Sequence, residues 1–171
     1  VNSINWARII AQTVYYFWAY SKFNKNKISF IVPSGNFGNM FSARIAKYMG
    51  LPIQNLNLVT NANDILHRII SSGQMQISTV KKTYSPSMDI QVSSNFERQL
   101  FESLNRDSEK LLEIMQSFTR TGQCHLSKDI INDLNSIYKS YSVSNEQNLE
   151  EIGNFKKNYN YLADPHTATG L

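Results

Sequence analysis

Apolar and polar positions along the first third of the chain keep a rhythm that switches between helix and strand. Ile4, Ala7, Ala11, Val14 and Trp18, widened by Ile10 and Phe17, recur at helical spacing and predict a first helix whose apolar face they form. Asn2 or Ser3 stands where a cap belongs, and Asn5, Arg8 and Gln12 make a polar line beside that face. The helix should fade by Phe23 into the polar turn 24–27. Residues 28–32 are short and rich in β-branched and aromatic side chains, as a buried parallel strand requires. Pro33, with no N–H to donate, should end that strand. Ser34-Gly35-Asn36-Phe37-Gly38-Asn39 follows, and then Phe41, Ile45, Tyr48 and Met49 predict a helix over 40–49, stopped by Gly50 and Pro52. Residues 55–60 read as a second strand, and 64–72 as a helix capped by Asn61 or Asn63 and ended by Gly73.

Regular periodicity is lost over 77–94, where Ser85-Pro86 marks a turn. Beyond it the pattern is helical. Asn95 can cap 96–104, Asp107 can cap 111–118, and Ser127 can cap 130–138. Ser144-Asn145-Glu146-Gln147 is a capping box that opens a helix towards Phe155. Residues 159–162 read as a short strand, and Thr167 as the cap of a further helix. Strands alternating with helices, then a helix-rich second half, predict an α/β fold with a mainly parallel sheet flanked by helices.

Composition narrows the class. Hydrophobic residues at 42% with charged residues at 18% describe a globular chain, neither disordered nor membrane-spanning. No apolar run approaches the ~20 residues of a transmembrane helix, and the first residues lack a basic n-region and a cleavage site, so no signal peptide is expected. The net charge of +4 is spread over scattered clusters (Lys22, Lys25, Lys27; Lys81, Lys82; Lys156, Lys157), which argues for solvated surface and against a nucleic-acid stripe. A mild positive excess suits small anionic ligands. The single cysteine, Cys124, fits a reducing compartment, hence the cytoplasm, and no motif surrounds it. His67 has no ligand partner at helical spacing and reads as structural; with no C-x-x-C or H-E-x-x-H, no metal is expected.

The candidate chemistry lies at 28–39. Strand, glycine-containing turn and helix in that order make a phosphate cradle, because free N–H groups at a helix start point at an anion. The same order also describes an ordinary βα turn, and spacing alone leaves both open, as it leaves Arg8 open between a surface charge and an anion ligand.

Resemblance adds to this. Asn-Ser-Ile-Asn-Trp-Ala-Arg-Ile at 2–9 with Ala-Gln-x-x-Tyr-Tyr-Phe at 11–17, Pro-Ser-Gly-Asn-Phe-Gly-Asn at 33–39, and Thr-Asn-x-Asn-Asp-Ile-Leu-His-Arg at 60–68 resemble threonine synthases. So do Ser-Pro-Ser-Met-Asp-Ile-Gln-Val-Ser-Ser-Asn-Phe-Glu-Arg at 85–98 and Asp-Pro-His-Thr-Ala-Thr-Gly at 164–170, in family order. The resemblance implies part of a fold-type II pyridoxal-phosphate enzyme, similar to the tryptophan synthase β subunit. Such an enzyme is a carbon–oxygen lyase converting O-phospho-L-homoserine and water to L-threonine and phosphate, the last step of threonine biosynthesis. It also implies that Gly35, Asn36, Phe37, Gly38 and Asn39 hold the cofactor phosphate, and that Ser3, Asn5 and Arg8 receive the substrate phosphate, with Asn2 helping shape that substrate-binding site. The family's Schiff-base lysine belongs upstream of Val1 and the residue meeting the pyridine nitrogen beyond Leu171. Residues 1–171 are therefore expected to be one piece of a longer chain, inactive by itself. Another fold-type II lyase, related to threonine dehydratase or cysteine synthase, and a catalytically silent relative that binds a phosphorylated ligand are the competing expectations.

Overall fold

The computed structural model of the protein describes residues 5–23 and 25–171. After a first helix, α1 (Trp6–Ser21), the chain enters β1 (Ile28–Pro33), turns into α2 (Gly38–Tyr48) and returns as β2 (Ile53–Thr60), parallel to β1 with Val32 opposite Leu58. Pro33 is the last residue of β1, one later than expected; the next N–H, that of Ser34, donates to Val59 O at 2.9 Å. Gly50, at φ 98°, lies just beyond the end of α2 and lets the chain reverse there. Then come α3 (Ile65–Ser72), β3 (Gln74–Gln76), a 3₁₀ turn at Pro86–Met88, α4 (Phe96–Ser103) and α5 (Ser108–Thr121). The chain finishes with β4 (Gln123–His125), α6 (Lys128–Ile137), β5 (Tyr138–Ser142), α7 (Asn145–Tyr159) and α8 (Pro165–Ala168).

The main sheet runs β1-β2-β5, all parallel, and β3 pairs with β4 as a small antiparallel ribbon. β5 is absent from the sequence reading, which carried the preceding helix to 138. Tyr-Lys-Ser-Tyr-Ser offers no apolar run, so its extended state depends on the ladder that β2 supplies, from Leu56 opposite Tyr138 to Thr60 opposite Ser142. Val32, Leu56, Leu58 and Tyr138 join Met40 and Phe41 of α2, Leu66 and Ile70 of α3, Phe96 and Leu100 of α4 and Leu134 of α6 in one core.

In α1 the helix is where the periodicity puts it, but its buried face is not. Ile9, Thr13 and Tyr16 are buried, whereas Val14 and Trp18 stay 61% and 64% exposed. Apolar residues surround most of this helix, so packing against α2 rather than pattern selects the face. Its cap is Asn5, whose Oδ1 accepts from Ala7 N at 2.9 Å; Asn2 and Ser3 lie outside the described residues. Asp107, Ser127 and Ser144 cap α5, α6 and α7 as expected, the last with its full capping box. Other end signals differ. Residues 159–162 form no strand, because α7 runs to Tyr159 and Asn160 ends it at φ 53°. Asp164, not Thr167, caps α8.

Asn61 and Asn63 do not cap α3. They reach the aperiodic segment instead, where Asp89 Oδ1 accepts from Asn61 Nδ2 (2.8 Å), Asn63 Nδ2 (2.9 Å) and Thr83 Oγ1 (2.6 Å) while Oδ2 accepts from Thr83 N (2.9 Å). Arg68, held by Asp64 Oδ1 through Nε (2.9 Å), ties the same segment to α3 by donating from Nη2 to Ser78 Oγ (3.4 Å) and Gln91 Oε1 (3.3 Å). Side-chain bonds thus do for residues 77–94 what backbone ladders do elsewhere. His67 Nδ1 lies 2.9 Å from Ser140 Oγ and links α3 to β5.

Candidate functional site

The turn after β1 is shaped by its phenylalanine. Phe37 holds a left-handed conformation (φ 62°) at the start of α2, which costs a residue with a Cβ about 1–2 kcal/mol. Its ring is fully buried and meets Phe96 and Tyr138 edge to face, with centroids 5.2 and 5.5 Å away. That anchorage offsets the backbone strain. The glycines serve close approach instead. A Cβ on Gly35 would stand 3.1 Å from Met88 Cα and 3.3 Å from the Ile90 side chain, and one on Gly38 would stand 3.3 Å from Asn95 Nδ2. Their bare faces admit neighbouring protein.

The geometry leaves a row of amides unclaimed. Among the described residues, no carbonyl or side chain accepts from the backbone N–H groups of 35–40, and no side chain caps α2. The side-chain oxygens of the two loop asparagines are engaged by protein. Asn39 accepts from the Tyr16 hydroxyl through O (2.9 Å) and Oδ1 (2.5 Å), and Asn36 Oδ1 accepts from Ser94 Oγ at 3.4 Å. Asn36 O also accepts from Asn95 N at 3.2 Å. The loop is therefore clamped from both sides, with backbone N–H groups as its free donors at the positive end of the α2 dipole.

Residues 35–39 line a cavity of about 300 Å³ whose walls also include Arg8 and Gln12 of α1, Ser87 and Asn95. No carboxylate is among its lining residues. α1 is fixed over the loop by Ser42 Oγ, which donates to Ile9 O at 2.8 Å, and by the Tyr16–Asn39 bond. Burial raises the ionisation of Tyr16 well above the usual tyrosine range, so that hydroxyl stays a donor. Arg8 is exposed and makes no ion pair among the described residues.

The structure thus brings Gly35, Asn36, Phe37, Gly38, Asn39 and Arg8 together around one cavity. It does not bring Asn5 there, because that side chain is used as the α1 cap. The other matched segments converge too. In 164–170, His166 Nε2 accepts from Ser87 N at 3.3 Å, and Gly170 lies so near Pro33 that a Cβ would be 2.9 Å from its ring. Ser87 and Asn95 were not singled out as site residues from the sequence; their only signal was membership of the matched stretch 85–98. Cys124 is half-buried in β4, where burial raises its thiol, and takes no part. Among the described residues no cluster of His, Cys, Asp or Glu could hold a metal ion, and no helix is long and apolar enough to cross a membrane.

No protein-family model matches the chain. It is 42% identical to a threonine synthase of Pseudomonas aeruginosa over 173 aligned residues, which cover 100% of this chain and 37% of that protein. Against a threonine synthase of Saccharomyces cerevisiae the identity is 44%, again over 100% of this chain and 37% of the relative. A crystal structure of PLP-bound threonine synthase from Brucella melitensis superposes with a TM-score of 0.97 at 43% identity, covering 99% of this chain and 37% of that one. In sequence and in fold, over a stretch matching 37% of these relatives' length, the chain is similar to threonine synthases.

Proposed function

We propose that these residues form the cofactor-phosphate seat and part of the substrate site of a pyridoxal-phosphate-dependent threonine synthase acting on O-phospho-L-homoserine. The observation that carries this reading is the row of unclaimed amides at the start of α2 sharing one cavity with Arg8. A phosphate dianion fits there. Its donors are backbone N–H groups at a helix start, no carboxylate is among its lining residues, and Arg8 lines the same cavity.

When bound, pyridoxal phosphate supplies the electron sink that lets protons move at the substrate's Cα and Cβ and the γ-phosphate depart. The amides of 35–40 hold the cofactor phosphate, and Phe37 keeps them convergent. Arg8 pairs with the substrate phosphate and steadies the charge that grows as it leaves. Asn2 and Ser3 are assigned to that phosphate as well, while Asn5 secures the helix.

The chain works within a longer, cytoplasmic polypeptide in this reading. Val14, Trp18 and, on the second face of the sheet, Ile31 are more than half exposed, and parallel sheets are ordinarily covered on both faces. The test is an assay of the full polypeptide with pyridoxal phosphate and O-phospho-L-homoserine. Equal release of threonine and phosphate is expected; binding of cofactor without turnover of any phosphorylated amino acid would overturn the synthase assignment.

A further inference from the structure

We infer that Gln12 is a further substrate-positioning residue, holding the phosphate group that Arg8 receives, a deepening that rests on the function proposed above. Gln12 belongs to the polar line along α1 but neither caps that helix nor forms part of the loop. It stands four positions after Arg8, which puts the two side chains on one side of the helix a turn apart, and both line the cavity. No carboxylate lines it with them.

Two bonds fix α1 on either side of Gln12. Ile9 O accepts from Ser42 Oγ at 2.8 Å, and the Tyr16 hydroxyl donates to Asn39 O at 2.9 Å. Gln12 Oε1 lies 3.4 Å from the same Ser42 Oγ, whose single proton has nearer acceptors in Ile9 O and Gly38 O, the latter at 2.9 Å. The amide N–H₂ is therefore left over. With Oε1 turned to Ser42, neither N–H has an acceptor among the described residues; with the amide reversed, one still has none. A neutral amide adds a donor to a dianion without competing for Arg8, as a carboxylate at 12 would. Arg8 supplies charge, and Gln12, between two tied points of the helix, supplies direction.

The experiment compares wild type, Gln12→Met and Gln12→Glu in the full polypeptide loaded with pyridoxal phosphate. Gln12→Met keeps the length and helical preference of the side chain and removes its donors; Gln12→Glu keeps the shape and sets a negative charge beside the phosphate. Gln12→Asn, which withdraws the amide by one methylene, serves where Gln12→Met fails to fold. Steady-state kinetics with O-phospho-L-homoserine, inhibition by inorganic phosphate, cofactor titration and melting without substrate are read for each. A lost hydrogen bond to a charged group predicts that KM and the phosphate Ki each rise about tenfold or more in Gln12→Met and further in Gln12→Glu, with kcat within about twofold and cofactor Kd unchanged. A lower melting temperature with KM and Ki unchanged would make Gln12 structural only and overturn the inference. So would a cofactor Kd that rises with them, which would place Gln12 at the cofactor. If wild type turns the substrate over and the variants match it, this inference alone falls; if wild type turns over no phosphorylated amino acid, the function proposed above falls and this inference with it.

Discussion

Replacing Phe37 by alanine and, separately, by glycine isolates the two demands on that position. The ring is fully buried against Phe96 and Tyr138, so truncation to alanine should cost about 3–5 kcal/mol, including the lost edge-to-face pairs. Alanine also keeps a Cβ in the left-handed region at φ 62°, a strain of about 1–2 kcal/mol that glycine lacks. Glycine gives back part of that gain through the greater freedom of its unfolded chain, about 0.5–1 kcal/mol. The net expectation inverts the ordinary order. Phe37→Gly should be the more stable variant, by about 0.5–1 kcal/mol, although both fall well below wild type. Urea denaturation followed by circular dichroism reads this as a higher midpoint for glycine at equal slope. If alanine matched or exceeded glycine, the left-handed turn would not exist in solution, and the convergence of the amides of 35–40 would lose its physical basis.

Further outcomes follow from the same geometry. Arg8→Ala should raise KM for a phosphorylated substrate about tenfold to a hundredfold, with partial recovery in Arg8→Lys, and leave cofactor Kd unchanged; steady-state kinetics beside cofactor titration would expose a different role if both moved together. Asp89→Ala removes the carboxylate that Asn61, Asn63 and Thr83 share as an acceptor and should cost about 2–4 kcal/mol in denaturant, whereas a loss within about 0.5 kcal/mol would show the network to be dispensable. Burial raises Tyr16 and Tyr138 above their ordinary value of 10.0, so the stability they contribute is complete below that pH and lost as pH climbs above it. The last rise in tyrosinate absorbance through an alkaline titration should therefore coincide with the loss of circular dichroism; ionisation of every tyrosine with circular dichroism retained would contradict the burial.

The candidate site was legible to different depths. The loop 33–39 and the polar line of Arg8 and Gln12 are local patterns, and each sits where the chain suggested. Ser87 and Asn95 reach the same cavity from a segment without periodicity, and nothing in their own neighbourhood announces it. Asn61, Asn63 and Asn95 carry one lesson. An asparagine before a helix is read as a cap because capping is the commonest local use of its side chain. Here the Nδ2 groups of Asn61 and Asn63 bond across the fold instead, to partners 18–28 residues away, and Asn95 reaches Asn36 O through its backbone N–H.

Sequence by itself determined the elements whose signals are short-range. These are the apolar run of β1, the turn after it, the glycine stops at 50 and 73, and the caps at Asp107, Ser127 and Ser144. Tertiary structure alone decided which face of α1 is buried, that 138–142 is a strand, that Phe37 stands left-handed, and that Asn95 turns towards α2. The division has one cause. Caps, turns and periodicity involve groups a few residues apart, whereas burial, strand pairing and strain at a single φ depend on what the folded chain places opposite them.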